Sequence, residues 1–242
     1  MSQTIRLAGR EIAYQLVRSA RRRTIALYVD HSGLTVRTPL RASGRQIERV
    51  LHDKAGWIID RLAEWADRPA PAERGFECGT PFPFLGRDYT LAIHPHPTRA
   101  RTRVEINDDR LVVEIDRHLV GDMRQTTIRK GLERWYRREA ETRFPERVRF
   151  YAEQLGRPVC QIAIRSQKRR WGSCDSRGII RLNWRLIGAS PDLIDYVCAH
   201  EAAHLVEPNH SRAYWTVVES LMPDWKARRQ RLNATAGHFV PF

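Results

Sequence analysis

The sequence of 242 residues has no run of about 18 apolar residues, the length that a membrane-spanning helix requires. Its first residues, MSQTIRLAGREIAY, lack the apolar stretch of a secretory signal peptide. The four cysteines are scattered through the chain and include no CxxC pair. Without an export signal, free thiols in a reducing compartment are expected. These absences predict a cytoplasmic protein that has no membrane partner.

Acidic residues are in deficit, with 28 Asp and Glu against 42 Lys and Arg and a net charge of +14. Such an excess favours an anionic partner, either nucleic acid or an anionic substrate. The alternative is a solvated basic surface that has no dedicated partner. Apolar residues make up 42% of the chain, which argues against wholesale disorder and is enough to build a core. The length fits one large domain or two small ones.

The first third of the chain has the pattern of strands followed by a helix. In TIALYVDHSGLTVRT, apolar residues alternate with polar ones on both sides of a His-Ser-Gly turn, as they do in a β-hairpin. Ser43 and Gln46 have the spacing of a capping box. The apolar residues behind them keep helical spacing, so we predict one helix over 44–66. The segment DRPAPAERG, 67–75, is typical of a linker.

Two further hairpin patterns and a long helical pattern follow. FPFLGRDYTLAI and RVEINDDRLVVEID each place a turn between alternating apolar residues. From Ile128 to Leu155 apolar residues recur every three or four positions, which predicts either one long helix or two helices that meet at Pro145. The residues at 176–178 predict a turn between two strands, the second of them IIRLNWRLI. We detect no internal repeat.

The stretch HEAAHLVEPNH contains three histidines and a glutamate. His200 and His204 are four residues apart, so on a helix both imidazoles lie on one face and can share a cation. Glu201 lies at the edge of that face, where a carboxylate can act on water without being a ligand. This HExxH spacing is typical of zinc hydrolases. In their mechanism zinc lowers the pKa of its bound water, and the glutamate takes the proton as hydroxide attacks a carbonyl.

A catalytic zinc site needs a third protein ligand and one open position. Pro208 must interrupt the helix, because it lacks an amide proton and disfavours helical geometry at Glu207. The chain can then turn so that His210 reaches the metal. The spacing equals that of the metzincins, HExxHxxGxxH, although Glu207 stands at the position of their glycine. All three histidines are therefore candidate zinc ligands.

Three stretches, RRWGSCDSRGIIRLNWRLI, IDYVCAHEAAHLVEPNHSRAYW and MPDWKARRQRLN, together resemble the YgjP-like metallopeptidase family. VRSARRRTIALYVDHSGLTVRTP and KAGWIIDRL are also similar to that family, so the resemblance covers nearly the whole chain. It implies a zincin-like C-terminal part, similar to that of the SprT/Spartan-type proteases. It also implies zinc on His200, His204 and His210, with Glu201 as the base.

Several residues around the motif are further candidates for the site. Ala202 and Tyr214 stand where the family usually has Leu and Phe, and we interpret both as packing changes. The WGSC stretch is expected to turn a strand near the metal, and IIRLNWRLI or its hairpin partner is expected to bind an extended peptide by strand addition. Peptide hydrolysis also needs a hydrogen-bond donor for the oxyanion. The candidates are Tyr196, Arg212, Tyr214 and His238.

We interpret the chain as an α+β protein with a β-rich N-terminal region, 1–120, that includes the helix 44–66, and a zincin-like catalytic domain, 121–242. The predicted function is zinc-dependent hydrolysis of a peptide or protein substrate. The alternative is a nucleic-acid-binding factor with a structural zinc, which needs a fourth ligand such as Cys174 or Glu207.

Nucleic acid is a predicted partner only through the basic surface. The segments RSARRRT, 18–24, and QKRRW, 167–171, offer cations that could contact phosphates. A further alternative is a DNA-associated protease, which would contact phosphates through these cations and hydrolyse a protein substrate. Oligomeric state and cleavage specificity stay open.

Overall fold

The computed structural model of the chain describes residues 2–30, 33–66, 75–97, 101–167, 170–235 and Phe239. Helices take up 43% and strands 30% of the described residues, so the predicted α+β class is confirmed. No helix within these ranges is long and apolar enough to cross a membrane. The chain divides into two units, Met1–Ala72 and Glu73–Phe242. Most of the predicted linker, 67–74, lies outside the described residues.

The first unit contains a four-stranded sheet. Its strands are β1 (Ser2–Leu7), β2 (Arg10–Ser19), β3 (Ala26–Asp30) and β4 (Gly33–Pro39). They lie in the order β1-β2-β4-β3, with β2 parallel to β4 and both outer pairs antiparallel. The hairpin predicted in TIALYVDHSGLTVRT corresponds to β3 and β4. The core of the unit is small and consists of Leu7, Ile12, Tyr14, Leu34, Val36, Ile47, Leu51 and Ile58.

The segment predicted as one helix, 44–66, is two helices, α1 (Gly44–Asp53) and α2 (Ala55–Ala66). The predicted capping box is present at its start: the Ser43 side chain accepts from the Gln46 amide, and the Gln46 side chain accepts from the Ser43 amide. The first helix ends at Lys54, where ψ is 14°. Buried apolar residues continue at helical spacing on both sides of this break, which explains why the pattern predicted a single helix.

The second unit begins with a sheet of the same topology. Its strands are β5 (Pro81–Phe84), β6 (Arg87–His96), β7 (Arg103–Asn107) and β8 (Arg110–Asp116). They lie in the order β5-β6-β8-β7, with β6 parallel to β8 and both outer pairs antiparallel. The two pairs β5–β6 and β7–β8 are the hairpins that the sequence predicts.

The two sheets form an internal structural repeat that we did not detect in the sequence. Their first hairpins turn through matching left-handed residues, with φ of 47° and 81° at Ala8 and Gly9, and of 51° and 78° at Leu85 and Gly86. The sequence similarity at these turns is short, LAGRE against FLGRD. Strand alternation elsewhere is common to many sheets, so the repeat becomes visible only in the topology.

A long helix, a small sheet and three shorter helices complete the second unit. The long helix α3 (Gly121–Gln154) is continuous, with Pro145 inside it, which decides between the two predicted alternatives. The remaining strands are β9 (Gln161–Arg165), β10 (Gly172–Cys174) and β11 (Ile179–Asn183), in the order β10-β11-β9. Only the first half of IIRLNWRLI is strand, because Trp184–Gly188 is a 3-10 helix. The chain ends with α4 (Pro191–Ala203), α5 (Arg212–Leu221) and α6 (Trp225–Thr235).

The two compact units divide after Ala72, inside the region 1–120 that we predicted as β-rich. The sheet β5–β8 shares one core with the C-terminal elements. Phe84 packs against Trp135 and Tyr136 of α3, with ring centroids 4.9 and 6.4 Å apart. A hairpin pattern shows which strands pair, but it does not show which part of the chain the sheet packs against.

The turn between β5 and β6 supports the start of α4. The amides of Leu85 and Gly86 donate to the carbonyls of Ile187 and Gly188, at 2.8 and 3.3 Å. A Cβ atom on Gly86 would lie 2.7 Å from Cα of Ser190, the N-cap of α4. Glycine is therefore needed at this turn both for its left-handed conformation and for the close approach.

Gly86→Ala should destabilise the second unit by about 2 to 4 kcal/mol, because a left-handed alanine costs about 1 to 2 kcal/mol and the contact with Ser190 adds overpacking. Gly79→Ala is the matched control, since Gly79 also has a positive φ, 92°, but has no atom within 4 Å of its Cβ position. Urea unfolding followed by tryptophan fluorescence measures both variants. Equal losses would contradict the contact with Ser190.

Candidate metal centre

Two of the three motif histidines lie at the C-terminal end of α4. His200 is in the last turn of the helix, and His204 is the residue that ends it. Their ring centroids are 5.3 Å apart, as expected for residues that share one helix face. The helix therefore presents two imidazoles side by side.

A turn after α4 brings the third histidine back to the first. The next helix, α5, begins behind Ser211, whose side chain accepts a hydrogen bond from the Tyr214 amide at 3.2 Å. The Nε2 atoms of His200 and His210 are 3.2 Å apart. One nitrogen from each of His200, His204 and His210 lies within 4.8 Å of the other two.

The spacing between the His200 and His210 nitrogens fits a tetrahedral metal ion. Two ligands at about 2.0–2.1 Å from such an ion lie about 3.3 Å from each other, close to the 3.2 Å observed between His200 and His210. Within the described residues no cysteine or carboxylate joins this group, so neither Cys174 nor Glu207 adds a fourth ligand there. Three nitrogen ligands leave one position open, as catalytic zinc sites do.

Glu207 contributes to the site through its backbone. Its carbonyl oxygen lies 3.1 Å from Nδ1 of His204. A proton on Nδ1 that donates to this carbonyl leaves Nε2 as the free nitrogen for a metal. The residue that stands in place of the metzincin glycine therefore orients the His204 imidazole through its backbone carbonyl.

Burial favours the neutral, metal-binding form of His200 and His204. Burial, with smaller contributions from the charges of neighbouring groups, lowers the pKa of His200 to about 3. Burial is also the main cause that lowers the pKa of His204, against the opposite effect of its hydrogen bond with Glu207. Because a ligand imidazole must be unprotonated, the site needs no deprotonation of His200 or His204 near neutral pH.

Tyr214 supports both histidines of α4. Its hydroxyl donates to the backbone carbonyl of His200 at 2.9 Å, and its ring stacks on that of His204 with centroids 4.5 Å apart. Phenylalanine could not make this hydrogen bond, so Tyr214 is more than the packing change that we predicted. Ala202, the other departure from the family pattern, is fully buried in the core.

An aromatic stack lies against His210. The ring of Trp215 is inclined by 25° to that of His210, with centroids 5.7 Å apart. Trp215 also stacks on Trp225 of α6, with centroids 4.2 Å apart, and the Arg229 guanidinium lies 5.2 Å from the Trp215 ring centroid. We did not single out Trp215 or Arg229 in the sequence. The sequence does place Trp225 and Arg229 four residues apart, and this spacing could have indicated that both lie on one face of a helix.

Glu201 is almost fully buried, with 4% of its surface exposed. Its carboxylate accepts a hydrogen bond from the Cys174 amide in β10, while Oε2 has no partner among the described residues. Burial raises the pKa of Glu201 to about 8, although the positive charge of Arg170 and the Cys174 amide act in the opposite direction. The buried carboxyl therefore holds a proton more readily than an exposed glutamate does.

The carboxylate of Glu201 has room because residue 172 is a glycine. A Cβ atom on Gly172 would lie 2.5 Å from Oε1 and 2.6 Å from Cγ of Glu201. The WGSC stretch thus brings a strand next to the histidine helix, as predicted. The sequence motif did not reveal that its glycine makes space for the glutamate side chain.

The remaining candidates for the oxyanion donor differ in their contacts. The Tyr196 hydroxyl hydrogen-bonds to none of the described residues, and its ring lies 5.9 Å from that of His200. Burial raises the pKa of Tyr196 to about 12, so its hydroxyl stays protonated. The side chain of Arg212 contacts no described residue by a hydrogen bond or an ion pair. His238 lies outside the described residues.

Comparison with protein families matches residues 23–235 to the family described as YgjP-like, metallopeptidase domain. Among curated proteins, no relative matches the chain significantly. Among solved structures, the crystal structure of the metallopeptidase zymogen of Pyrococcus abyssi abylysin is similar, with a TM-score of 0.36 and 22% identity. The similarity covers 38% of this chain and 93% of that chain.

Loss of one histidine should weaken metal binding strongly. We expect about one zinc ion per wild-type chain, and a zinc affinity at least about a hundredfold lower for His204→Ala, because loss of even an outer-shell partner costs 10–100-fold. His94→Ala is the control, since His94 is exposed in β6. Elemental analysis and competition with a chromophoric chelator give stoichiometry and affinity. Unchanged binding in His204→Ala would place the ion elsewhere.

Proposed function

The chain belongs to the YgjP-like metallopeptidase family, and from this premise we propose that it is a zinc-dependent peptidase with Glu201 as its general base. The observation that carries the proposal is the group of three histidine nitrogens, together with a buried glutamate that directly follows His200 on α4. His200, His204 and His210 would hold the ion. Three imidazoles suit zinc better than the hard cations that prefer oxygen ligands.

When bound, zinc supplies a Lewis acid that makes water more acidic and polarises a carbonyl group. The chain's own residues then move the proton. Glu201 accepts it from the attacking water and is placed to give it to the leaving amine. The Cys174 amide and the space at Gly172 hold the carboxylate in position for both transfers.

We infer that an extended peptide binds along β10. This strand is at one edge of its sheet, whereas β11 lies between β10 and β9. The sequence analysis offered two strands for peptide binding, β11 and its hairpin partner β10. Because β10 has a free edge within the described residues, it is the better candidate for strand addition. Because β10 also contacts Glu201, a peptide added there would run close to the general base.

Tyr196 is our candidate donor to the oxyanion. Its hydroxyl has no hydrogen-bond partner among the described residues, whereas that of Tyr214 donates to the backbone of His200. Tyr196 precedes His200 by four residues and lies on the same helix face. A protonated phenol at this position can stabilise negative charge that develops on a substrate carbonyl.

The nucleic-acid hypotheses stay predictions. A structural zinc would need a fourth ligand, and within the described part of the chain none lies near the three histidines. Arg18 of the first basic segment donates to the carbonyls of Leu40 and Ala42, at 3.0 and 2.8 Å, which engages its guanidinium inside its own unit. Part of the second segment, 168–169, lies outside the described residues.

Glu201→Gln should lower kcat by about 10² to 10⁴-fold, because the amide cannot accept the proton, and should leave zinc bound. The measurement is cleavage of a mixed peptide library followed by mass spectrometry, with zinc content determined on the same preparation. Wild-type cleavage together with full activity of the zinc-loaded variant would rule out Glu201 as the base.

Gly172→Ala should lower peptidase activity while zinc stays bound, because the new methyl group would displace the Glu201 carboxylate. Gly75→Ala is the control, since a Cβ atom there makes only ordinary contacts with Glu77, at 3.7 Å or more. We expect a loss of about tenfold or more, as displacements of about 1 Å can cost 10²-fold. Wild-type activity of Gly172→Ala would mean that the carboxylate tolerates a shift.

A further inference from the structure

Arg229 is an exposed cation that lies close to the histidine site and has no acidic partner. Its guanidinium lies 5.2 Å from the centroid of Trp215, the ring that packs on His210. Among the described residues no carboxylate pairs with it. The other two arginines in this stretch of α6 are engaged: Arg228 pairs with Asp224 at 2.8 Å, and Arg231 pairs with Asp192 at 2.7 Å.

The positive charge of Arg229 lies close to the candidate metal centre. The centroid of the Trp215 ring that it contacts lies 6.0 Å from that of His200 and 5.7 Å from that of His210, so Arg229 and these two histidines share one aromatic neighbour. A divalent ion held by the histidines would repel the guanidinium. A carboxylate of a bound peptide would reduce this repulsion.

We propose that Arg229 is a specificity residue that binds a carboxylate of the peptide substrate, so that the preferred substrates are peptides with an acidic group next to the cleaved bond. This proposal rests on the proposed peptidase function. The carboxylate is either an acidic side chain or the C-terminus of the peptide. Stacking on Trp215 preorganises the planar guanidinium for bidentate contact, which a flexible ammonium group would not offer.

Lys226 provides a matched control on the same helix. Its ammonium lies 5.5 Å from the centroid of Trp225, the other ring of the stacked pair. Lys226→Gln and Arg229→Gln remove the same charge and the same kind of cation–aromatic contact. Of these two cations, Arg229 is the one that contacts Trp215, the ring packed against His200 and His210. Arg229→Lys keeps the charge and changes only the geometry. Both positions are exposed, so the variants should fold.

Binding is measured first, with zinc-loaded protein, because it does not depend on turnover. Rhodamine-labelled tetrapeptide pools that contain Glu are compared by fluorescence anisotropy with pools that contain Gln, all with amidated C-termini. A third set contains Gln and a free C-terminal carboxylate. We expect one of the two carboxylate sets to bind wild type about tenfold more tightly than the neutral set. Arg229→Gln should lose this preference, and Lys226→Gln should keep it.

The outcomes separate the two sources of the carboxylate. Preference for the Glu set identifies an acidic side chain, and preference for the free C-terminus identifies a terminal carboxylate. No preference in wild type, or an equal preference in Arg229→Gln, would overturn the proposal. Mass spectrometry of the same pools then tests cleavage. Carboxylate preference without any cleavage would contradict the peptidase function and leave the assignment of Arg229 as a carboxylate-binding residue intact.

Discussion

Close packing of the Glu201 carboxylate against β10 is the constraint on which the rest of the site depends. The carboxylate is buried, and the backbone of β10 lies against it. The Cys174 amide supplies a hydrogen bond, and the absent side chain at Gly172 supplies the space. Because β10 and α4 approach this closely, the strand at the edge of the sheet lies next to the helix that carries His200. One glycine thus couples the position of Glu201 to that of the edge strand.

The second unit fixes α4 at several points along its length. At its start the β5–β6 turn packs against Ser190, and Arg231 of α6 pairs with Asp192. In its middle Asp195 accepts two hydrogen bonds from Arg147 of α3, at 2.6 and 2.8 Å. Near its end Tyr214 donates to the His200 carbonyl. Several different elements therefore hold one short helix, which is how a site built from short-range spacing acquires a defined geometry.

The sequence predicted the parts of the molecule that depend on local spacing. The shared face of His200 and His204, the return of His210 after Pro208 and the hairpins all follow from patterns of a few residues. The sequence did not predict contacts between distant segments. Neither the space at Gly172 for Glu201 nor the stack of Trp225 on Trp215 has a local signature. A local pattern also does not show which core the sheet β5–β8 joins, because that depends on contacts with distant segments.

The charges around the site favour an anionic ligand more strongly than the overall composition does. If the three histidines hold a divalent ion, as proposed, Glu201 is the carboxylate that follows the first of them in the chain. Arg229, which contacts the Trp215 ring packed against His200 and His210, adds positive charge close to this group. In a partly desolvated site such an excess strengthens attraction to carboxylates over neutral groups. The net charge of +14 has the same sign, but surface charges are screened within about 8 Å at physiological salt. The proposed selection of a substrate carboxylate therefore depends on Arg229 and not on the total charge.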